Sequence, residues 1–272
     1  MTEVVRQGRM SGVLYNATWL RRAMKQKELP QPRLFVKRFD DVIVVPGEEL
    51  EDSISASYNE YGEGETLIVT RTNKRAVLFN LAIRSKILYK EEELCRDERL
   101  MVAKNNYLWS AKVKGLDFVA NGDIAIVERI YGTESRYGFR FADVSLFFPD
   151  YECEMDVKIL LDTLTSESPS LTKAENERLF AAVWDDYAEI RAKRKRMEKL
   201  REDPYYNAMQ VKYGYAVTCH KAQGGQWRTV FLDQGYTPPE GVNNDYFRWL
   251  YTAFTRATER LYLVNWPQQC VE

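Results

Sequence analysis

Five consecutive residues, Thr66-Leu67-Ile68-Val69-Thr70, do most to constrain what this chain can fold into. A strand with one face in water alternates apolar and polar side chains, whereas this run has no polar face at its centre and must be covered on both sides. Helices are the usual cover, because parallel strands need crossovers that lie on the sheet. Helical spacing does flank the run. Leu50, Ile54, Tyr58 and Tyr61 precede it, closed by Gly62 and Gly64, and Val77, Leu78, Leu81 and Ala82 follow it. Further upstream, Val13, Leu14, Ala17, Leu20 and Met24 form another helical stripe. Pro30 and Pro32 end it before the apolar runs Leu34 to Phe39 and Val42 to Val45. Residues from about 1 to 90 therefore alternate helix and strand as a layered α/β sheet does.

From about residue 95 the texture changes to short strands punctuated by turn residues. Leu100 to Ala103, Ile124 to Ile130, Tyr137 to Phe148 and Met155 to Leu161 are predicted strands, separated by Asn105-Asn106, Asn121-Gly122 and Tyr131-Gly132. A small antiparallel barrel inserted into the α/β domain accounts for this change. Thr172-Lys173-Ala174-Glu175 matches a capping box and predicts one long helix with the inner stripe Leu179, Val183, Tyr187, Ile190 and Met197, ended by Pro204. Its acidic start and its basic end, Arg191 to Lys199, complement the helix dipole, so a solvated helix end explains those charges without a ligand, and the alternative is that the basic end touches a phosphate backbone. After Pro204 the α/β pattern returns, with strands at Tyr215 to Cys219 and Val230 to Asp233, a helix over about Tyr246 to Ala257, and a last strand at Leu261 to Trp266.

Charge excludes little. The 39 Lys and Arg residues face 40 Asp and Glu, a formal net charge of -1, so any nucleic-acid surface must be local. Cys95, Cys153, Cys219 and Cys270 are widely spaced, which argues against both a zinc site and a disulfide scaffold. With no apolar stretch near the roughly 18 to 20 residues a membrane crossing needs, and no signal-peptide core, the expectation is a cytoplasmic protein without a membrane partner.

The most chemically suggestive stretch is Thr218-Cys219-His220-Lys221-Ala222-Gln223-Gly224-Gly225. It follows an apolar strand and ends in a glycine pair, where backbone N–H groups can receive phosphate. His220 is the only histidine, and a lone histidine is more often structural than catalytic. Downstream, Leu250, Ala253, Phe254 and Ala257 would form a buried helix face, leaving Trp249, Arg256 and Arg260 on a flanking stripe about 100° away. A guanidinium so placed suits an arginine finger, and equally an ordinary surface arginine. Nowhere does the sequence contain G-x-x-x-x-G-K-[ST], the loop that cradles nucleotide phosphates. Without it, the strand Val230 to Asp233 reads as a plain strand ending in an acid, not as a magnesium site. Pro149-Asp150 with Asp156-Val157-Lys158 echoes the pattern of metal-dependent nucleases, at a shorter separation than is usual.

Taken in chain order, these segments resemble the motifs of superfamily-one DNA helicases of the RecD/Dda-like branch. Thr2 to Gln7 with Ser11 resembles the motif at the entrance to the second RecA-like domain; Leu67 to Lys74 resembles a strand-to-helix segment beside the DNA; Phe118 to Ile124 resembles the N-G-D/E-x-G strand of the inserted barrel, with Ala125 where glycine is usual. Thr218 to Gly224 matches T-x-H-K-[AS]-Q-G, and Thr252 to Ala257 is similar to T-A-L-T-R-A. The resemblance implies that Arg6 and Arg256 meet the γ-phosphate of ATP. It also implies that Thr72, Asn73, Thr218, His220, Lys221, Gln223 and Gly224 face single-stranded DNA, and that Gln226 stands where a glutamate commonly reaches the nucleotide ribose.

The architecture so implied is a RecA-like parallel sheet flanked by helices, interrupted by an inserted SH3-like β-barrel with a long helix. The bounds it implies are 1–94 and 207–272 for the α/β domain and 95–206 for the insertion. ATP and Mg2+ would be held mainly by an N-terminal RecA-like P-loop domain, in cis or on a separate chain, and the complete motor would move 5′ to 3′ on single-stranded DNA. No metal ligand is expected in this chain. The rival readings are a self-sufficient nucleic-acid-binding module, with Tyr107, Trp109 and Phe118 as stacking residues, and the metal nuclease.

Overall fold

The structure is a computed structural model that describes residues 11–113, 115–238, 241–267 and 270–272. Arg6 and the rest of the Thr2 to Gln7 motif lie outside the described residues. The chain divides into two compact units, Met1–Tyr89 with Tyr215–Glu272, and Lys90–Gly214.

The first unit is built on a five-stranded parallel sheet. Its strands are β1 (Val42–Val45), β2 (Thr66–Thr70), β8 (Ala216–Thr218), β9 (Trp227–Asp233) and β10 (Ala257–Val264), in the order β1-β10-β9-β2-β8. Strand β2, the unbroken apolar run, is buried along its whole length. Helices α1 (Gly12–Ala23), α2 (Leu50–Tyr61), α3 (Asn73–Ala82) and α6 (Asn244–Phe254) supply the cover. Right-handed crossovers put α2 and α3 on one face and α6 on the other, where α1 packs against α6 through Trp19 and Phe247. Helix α1 is capped across space as well as locally. Asp41 accepts from the Ser11 hydroxyl at 2.7 Å and from the N–H of Gly12 at 2.8 Å, satisfying donors that a helix start leaves open.

Helix α3 departs from its expected face. The side chains it turns to the sheet are Ala76 and Asn80, whereas Leu78 is 52% and Leu81 39% exposed. Asn80 takes the inward position because it bonds the backbone of Tyr215 and Ala216, a constraint that outranks hydrophobic spacing.

The chain leaves β2 toward β8 and leaves β9 toward β10, so the connections diverge between β2 and β9. In open α/β sheets that switch point, at the carboxyl ends of the strands, is where a crevice forms. Here it is filled from within. The wholly buried Asp233 accepts from Arg75 Nε at 2.8 Å and Nη2 at 2.6 Å, and from Asn265 at 2.9 Å. The expected plain strand ending in an acid is thus a strand closed by an ion pair.

The second unit is a closed barrel of β3 (Arg99–Val102), β4 (Ile124–Arg136), β5 (Phe139–Phe148), β6 (Cys153–Leu160) and β7 (Met209–Tyr213). Neighbours are antiparallel except β6 and β7, which run parallel to close the ring. Met209–Tyr213 belongs to this barrel, so the α/β domain resumes at Tyr215 and not at 207.

The one long helix predicted after Thr172 is two, α4 (Lys173–Asp186) and α5 (Lys193–Glu202). The capping box at Thr172 and Glu175 is formed as expected. The break has a tertiary cause. Leu179 and Val183 of α4 and Leu200 of α5 share one cluster with Phe139, Phe141 and Leu160 of the barrel, so both helices need the same surface. Arg196 then lies over the Trp184 ring at 4.1 Å and donates from Nε to the Trp184 carbonyl at 2.9 Å, satisfying an acceptor at the end of α4. Among the described residues no helix is long and apolar enough to cross a membrane.

The pair at the switch point is asymmetric, with 35% of the Arg75 side chain exposed and none of Asp233. Arg75→Ala strands a carboxylate in the interior and is expected to cost about 3–5 kcal/mol. Asp233→Asn leaves an arginine that can turn to solvent and should cost less. Urea unfolding of the two variants checks the order.

Candidate nucleic-acid and nucleotide interface

Strands β8, β2 and β9 end in register, with Thr70 opposite Thr218 on one side and Asp233 on the other. The three segments that continue the chain from these strand ends therefore leave the sheet at one edge, from neighbouring strands about 4.8 Å apart. After β2 come Thr72 and Asn73. The Thr72 side chain caps α3 by accepting from the N–H of Arg75 at 3.2 Å, so its hydroxyl already serves the helix. After β8 comes the His220 turn, tied to β2 by the Cys219 N–H donating to the Thr70 carbonyl at 3.1 Å. Thus the structure brings together Thr72, Asn73, Thr218 and His220, residues separated in sequence by the whole of the inserted unit.

The turn itself is helical. The N–H groups of Lys221 and Ala222 donate to the Thr218 carbonyl at 2.9 and 3.1 Å. At this pitch residues three apart share a face. Cys219 and Ala222 point inward and are buried, while His220 and Gln223 are exposed. Burial pushes the Cys219 thiol up to about 11 and holds the Lys221 ammonium below the usual lysine range, both through desolvation. Gly224 then turns the chain at φ +91, a conformation that side chains resist, and a Cβ on Gly225 would lie 2.3 Å from the Trp227 ring. The glycine pair is therefore required by geometry. Gln226 is exposed just before β9 begins.

Arg256 departs from its expected position. Helix α6 ends at Phe254, and Ala257, assigned by spacing to the helix face, is the first residue of β10, opposite Trp227. Side chains end the helix early: the Thr255 hydroxyl donates to the Thr252 carbonyl at 2.9 Å, and Arg256 Nε donates to the same carbonyl at 3.0 Å. The guanidinium goes on to donate to the carbonyls of Gly225 at 2.7 Å and Ala222 at 3.4 Å. It does not project outward; it braces the far side of the His220 turn. Desolvation there holds it below the usual arginine range. Gln223, Gly224, Gln226 and Arg256 thus gather at the turn's far end, away from Thr72 and Asn73.

The nuclease reading finds no support in the side chains. Asp156 accepts from the Tyr131 hydroxyl at 2.8 Å, and Lys158 is paired with Glu134 at 2.7 Å and Asp143 at 2.8 Å. Among the described residues no cluster of acids, histidines or cysteines is arranged to hold a metal ion. In the barrel, Tyr107 and Phe118 stand 5.3 Å apart, 65% and 37% exposed, whereas Trp109 is anchored by its indole N–H to the Asn207 carbonyl at 2.9 Å. Arg71, Arg75, Asn80 and Tyr236 also line or support the sheet edge and were not singled out by sequence. Only Asn80 carried a signal, as a polar residue inside an apolar helical stretch.

Comparison with known proteins falls on the same segment. Residues 213–264, which hold β8, the His220 turn, β9, α6 and β10, match the model of the UvrD-like helicase C-terminal domain. No curated protein matches the chain. Among solved structures it is similar to a Pif1 helicase described as unwinding forked double-stranded DNA in coordinating pairs (TM-score 0.46, 11% identity, 99% of this chain and 51% of that one). It is also similar to a Pif1 helicase from Candida albicans (0.45, 13%, 98% and 56%) and to one from Bacteroides in complex with ADP-AlF3 and single-stranded DNA (0.46, 12%, 100% and 53%). The chain spans about half the length of these structures.

Because Arg256 braces the turn, Arg256→Ala is expected to destabilise the chain by about 1.5–3 kcal/mol, the range for hydrogen bonds from a charged donor. Arg256→Lys should recover little, since an ammonium cannot reproduce the planar fork that spans several carbonyls. Urea midpoints of the two variants against the parent test this.

Proposed function

We propose that this chain is the second motor domain of an ATP-dependent DNA helicase of the RecD/Dda-like branch. Thr72, Asn73, Thr218, His220, Lys221, Gln223 and Gly224 contact single-stranded DNA in this reading, and Arg256 and Arg6 approach the γ-phosphate of a nucleotide near Gln226. ATP and Mg2+ are held mainly by a P-loop domain, in cis or on a separate chain, and the complete motor translocates 5′ to 3′ in the cytoplasm. The observation that supports this best is the His220 turn. One short segment bears Thr218 and His220 at one end and Gln223 and Gly224 at the other, where Arg256 bonds the carbonyls of Ala222 and Gly225, so the candidate DNA residues and the candidate arginine share one piece of backbone.

An arginine withdrawn to neutralise a transferring phosphoryl group acts mainly on the chemical step. In the complete protein, Arg256→Ala is expected to lower kcat for ATP hydrolysis by roughly 10³–10⁵. The purified 272-residue chain should show no magnesium-dependent ATPase activity and only weak binding of single-stranded DNA at low salt. A measured ATPase of the chain alone would refute the reading.

A second reading, a self-sufficient nucleic-acid-binding module, is favoured by one observation, the exposed Tyr107 and Phe118 pair. Under the motor reading, binding to an oligothymidylate should fall in a Lys221→Ala variant and change little in Tyr107→Ala/Phe118→Ala. The reverse pattern in a filter-binding titration would favour the module.

A further inference from the structure

The carboxyl edge of the sheet has a third exit whose side chains the motif residues leave unused. Three residues beyond the end of β9 stands Tyr236, 90% exposed, with no ring contact or hydrogen bond among the described residues. It is the most exposed of the large apolar side chains described. No packing role explains it.

Its backbone is nevertheless held. The next residue, Thr237, accepts through Oγ1 from Arg71 Nη1 at 2.7 Å. The Arg71 guanidinium lies 5.3 Å from the Tyr246 ring centroid and 5.9 Å from that of Trp249, an arrangement that restrains the cation over the ring faces. Arg71 is also the residue directly before Thr72 and Asn73. One guanidinium therefore ties the exit of β9 to the exit of β2, and keeps Tyr236 beside the residues that meet the DNA backbone in the proposed function. The exits of β8 and β9 flank that of β2, about 10 Å apart at the usual strand spacing.

We propose that Tyr236 is a base-stacking residue, which takes the face of one unpaired base of a strand whose backbone passes Thr72, Asn73 and His220. The inference rests on the DNA-contacting role proposed above. Every base has a π-face, so the contact is tolerant of sequence. Arg71 is a positioning residue for it.

The test is fluorescence anisotropy with the full chain at low salt, using an oligothymidylate and an abasic oligonucleotide of the same length. Tyr236→Ala is expected to weaken binding of the oligothymidylate roughly 5- to 150-fold, and Tyr236→Phe to retain it. The parent should bind the abasic strand less well, and Tyr236→Ala should no longer distinguish the two strands, an effect that a merely structural role would not produce. If Tyr236→Ala binds both strands as the parent does while Lys221→Ala loses binding, the stacking role is overturned and the DNA-contacting edge stands. If the parent binds neither strand, both fall.

Discussion

The candidate interface depends on one buried amide. Strand β8 has only three residues in register with β2, and among the described residues no strand of the sheet lies on its other side. Asn80 fills that role. Its Nδ2 donates to the Ala216 carbonyl at 2.8 Å, and its Oδ1 accepts from the N–H groups of Tyr215 at 3.0 Å and Ala216 at 2.8 Å. These groups are buried, and each would cost about 1–3 kcal/mol if left unsatisfied. The side chain thus completes an edge too short to hold itself. Thr218, and with it the whole His220 turn, is positioned by that completion, which is why α3 turns an asparagine inward and leaves two leucines in solvent.

The turn runs between opposite ends of the sheet. Strand β9, seven residues at about 3.3 Å each, separates the edge where Thr218 leaves β8 from the end where Trp227 and Arg256 meet. The connection begins with a hydrogen-bonded turn from Thr218 to Gln223, buried at Cys219 and Ala222, and continues through the glycine pair to Trp227, bonded to Arg256 through the carbonyls of Ala222 and Gly225. A partner that draws the guanidinium away must break those bonds and loosen the segment that carries His220. By linkage, a ligand that fixes His220 alters the freedom of Arg256 by the same free energy. In the proposed motor this is the physical form that communication between DNA and nucleotide takes.

Much of this architecture is legible in sequence where the signal is local. The unbroken run at Thr66 to Thr70 marks a strand covered on both faces and the capping box at Thr172 marks the start of α4, whereas the turn expected at Tyr131-Gly132 lies inside β4 and the chain reverses at Tyr137-Gly138 instead, both at positive φ. The other errors share a different origin, which is contact between distant segments. The reversal between α4 and α5 is set by Phe139, Phe141 and Leu160 competing for both helices; the early end of α6 is set by side chains of Thr255 and Arg256 bonding back to its last turn. Helical spacing cannot reveal either, because it counts residues along one segment. In the candidate site, the glycine pair and the motif resemblance pick out the His220 turn, but the withdrawn position of Arg256 and the link from Arg71 to the exit of β9 emerge only from hydrogen bonds between distant segments.

Register fixes what stands at the switch point of the parallel sheet. In an open α/β sheet the natural place for a nucleotide is the crevice at the switch point, here between β2 and β9. Asp233 occupies it with a buried carboxylate, a like charge to any phosphate, already bonded to Arg75 and Asn265. A phosphate placed there would have to compete with the Asp233 carboxylate for Arg75 and Asn265. What remains open is the rim: the ends of β8 and β2, the Arg71 link and Tyr236 on one side, Gln226 and Arg256 on the other. A sheet whose crevice is plugged and whose rim is polar is suited to contact an extended ligand along its edge and to lend an arginine to a nucleotide held elsewhere, which is the division of labour the proposed function requires.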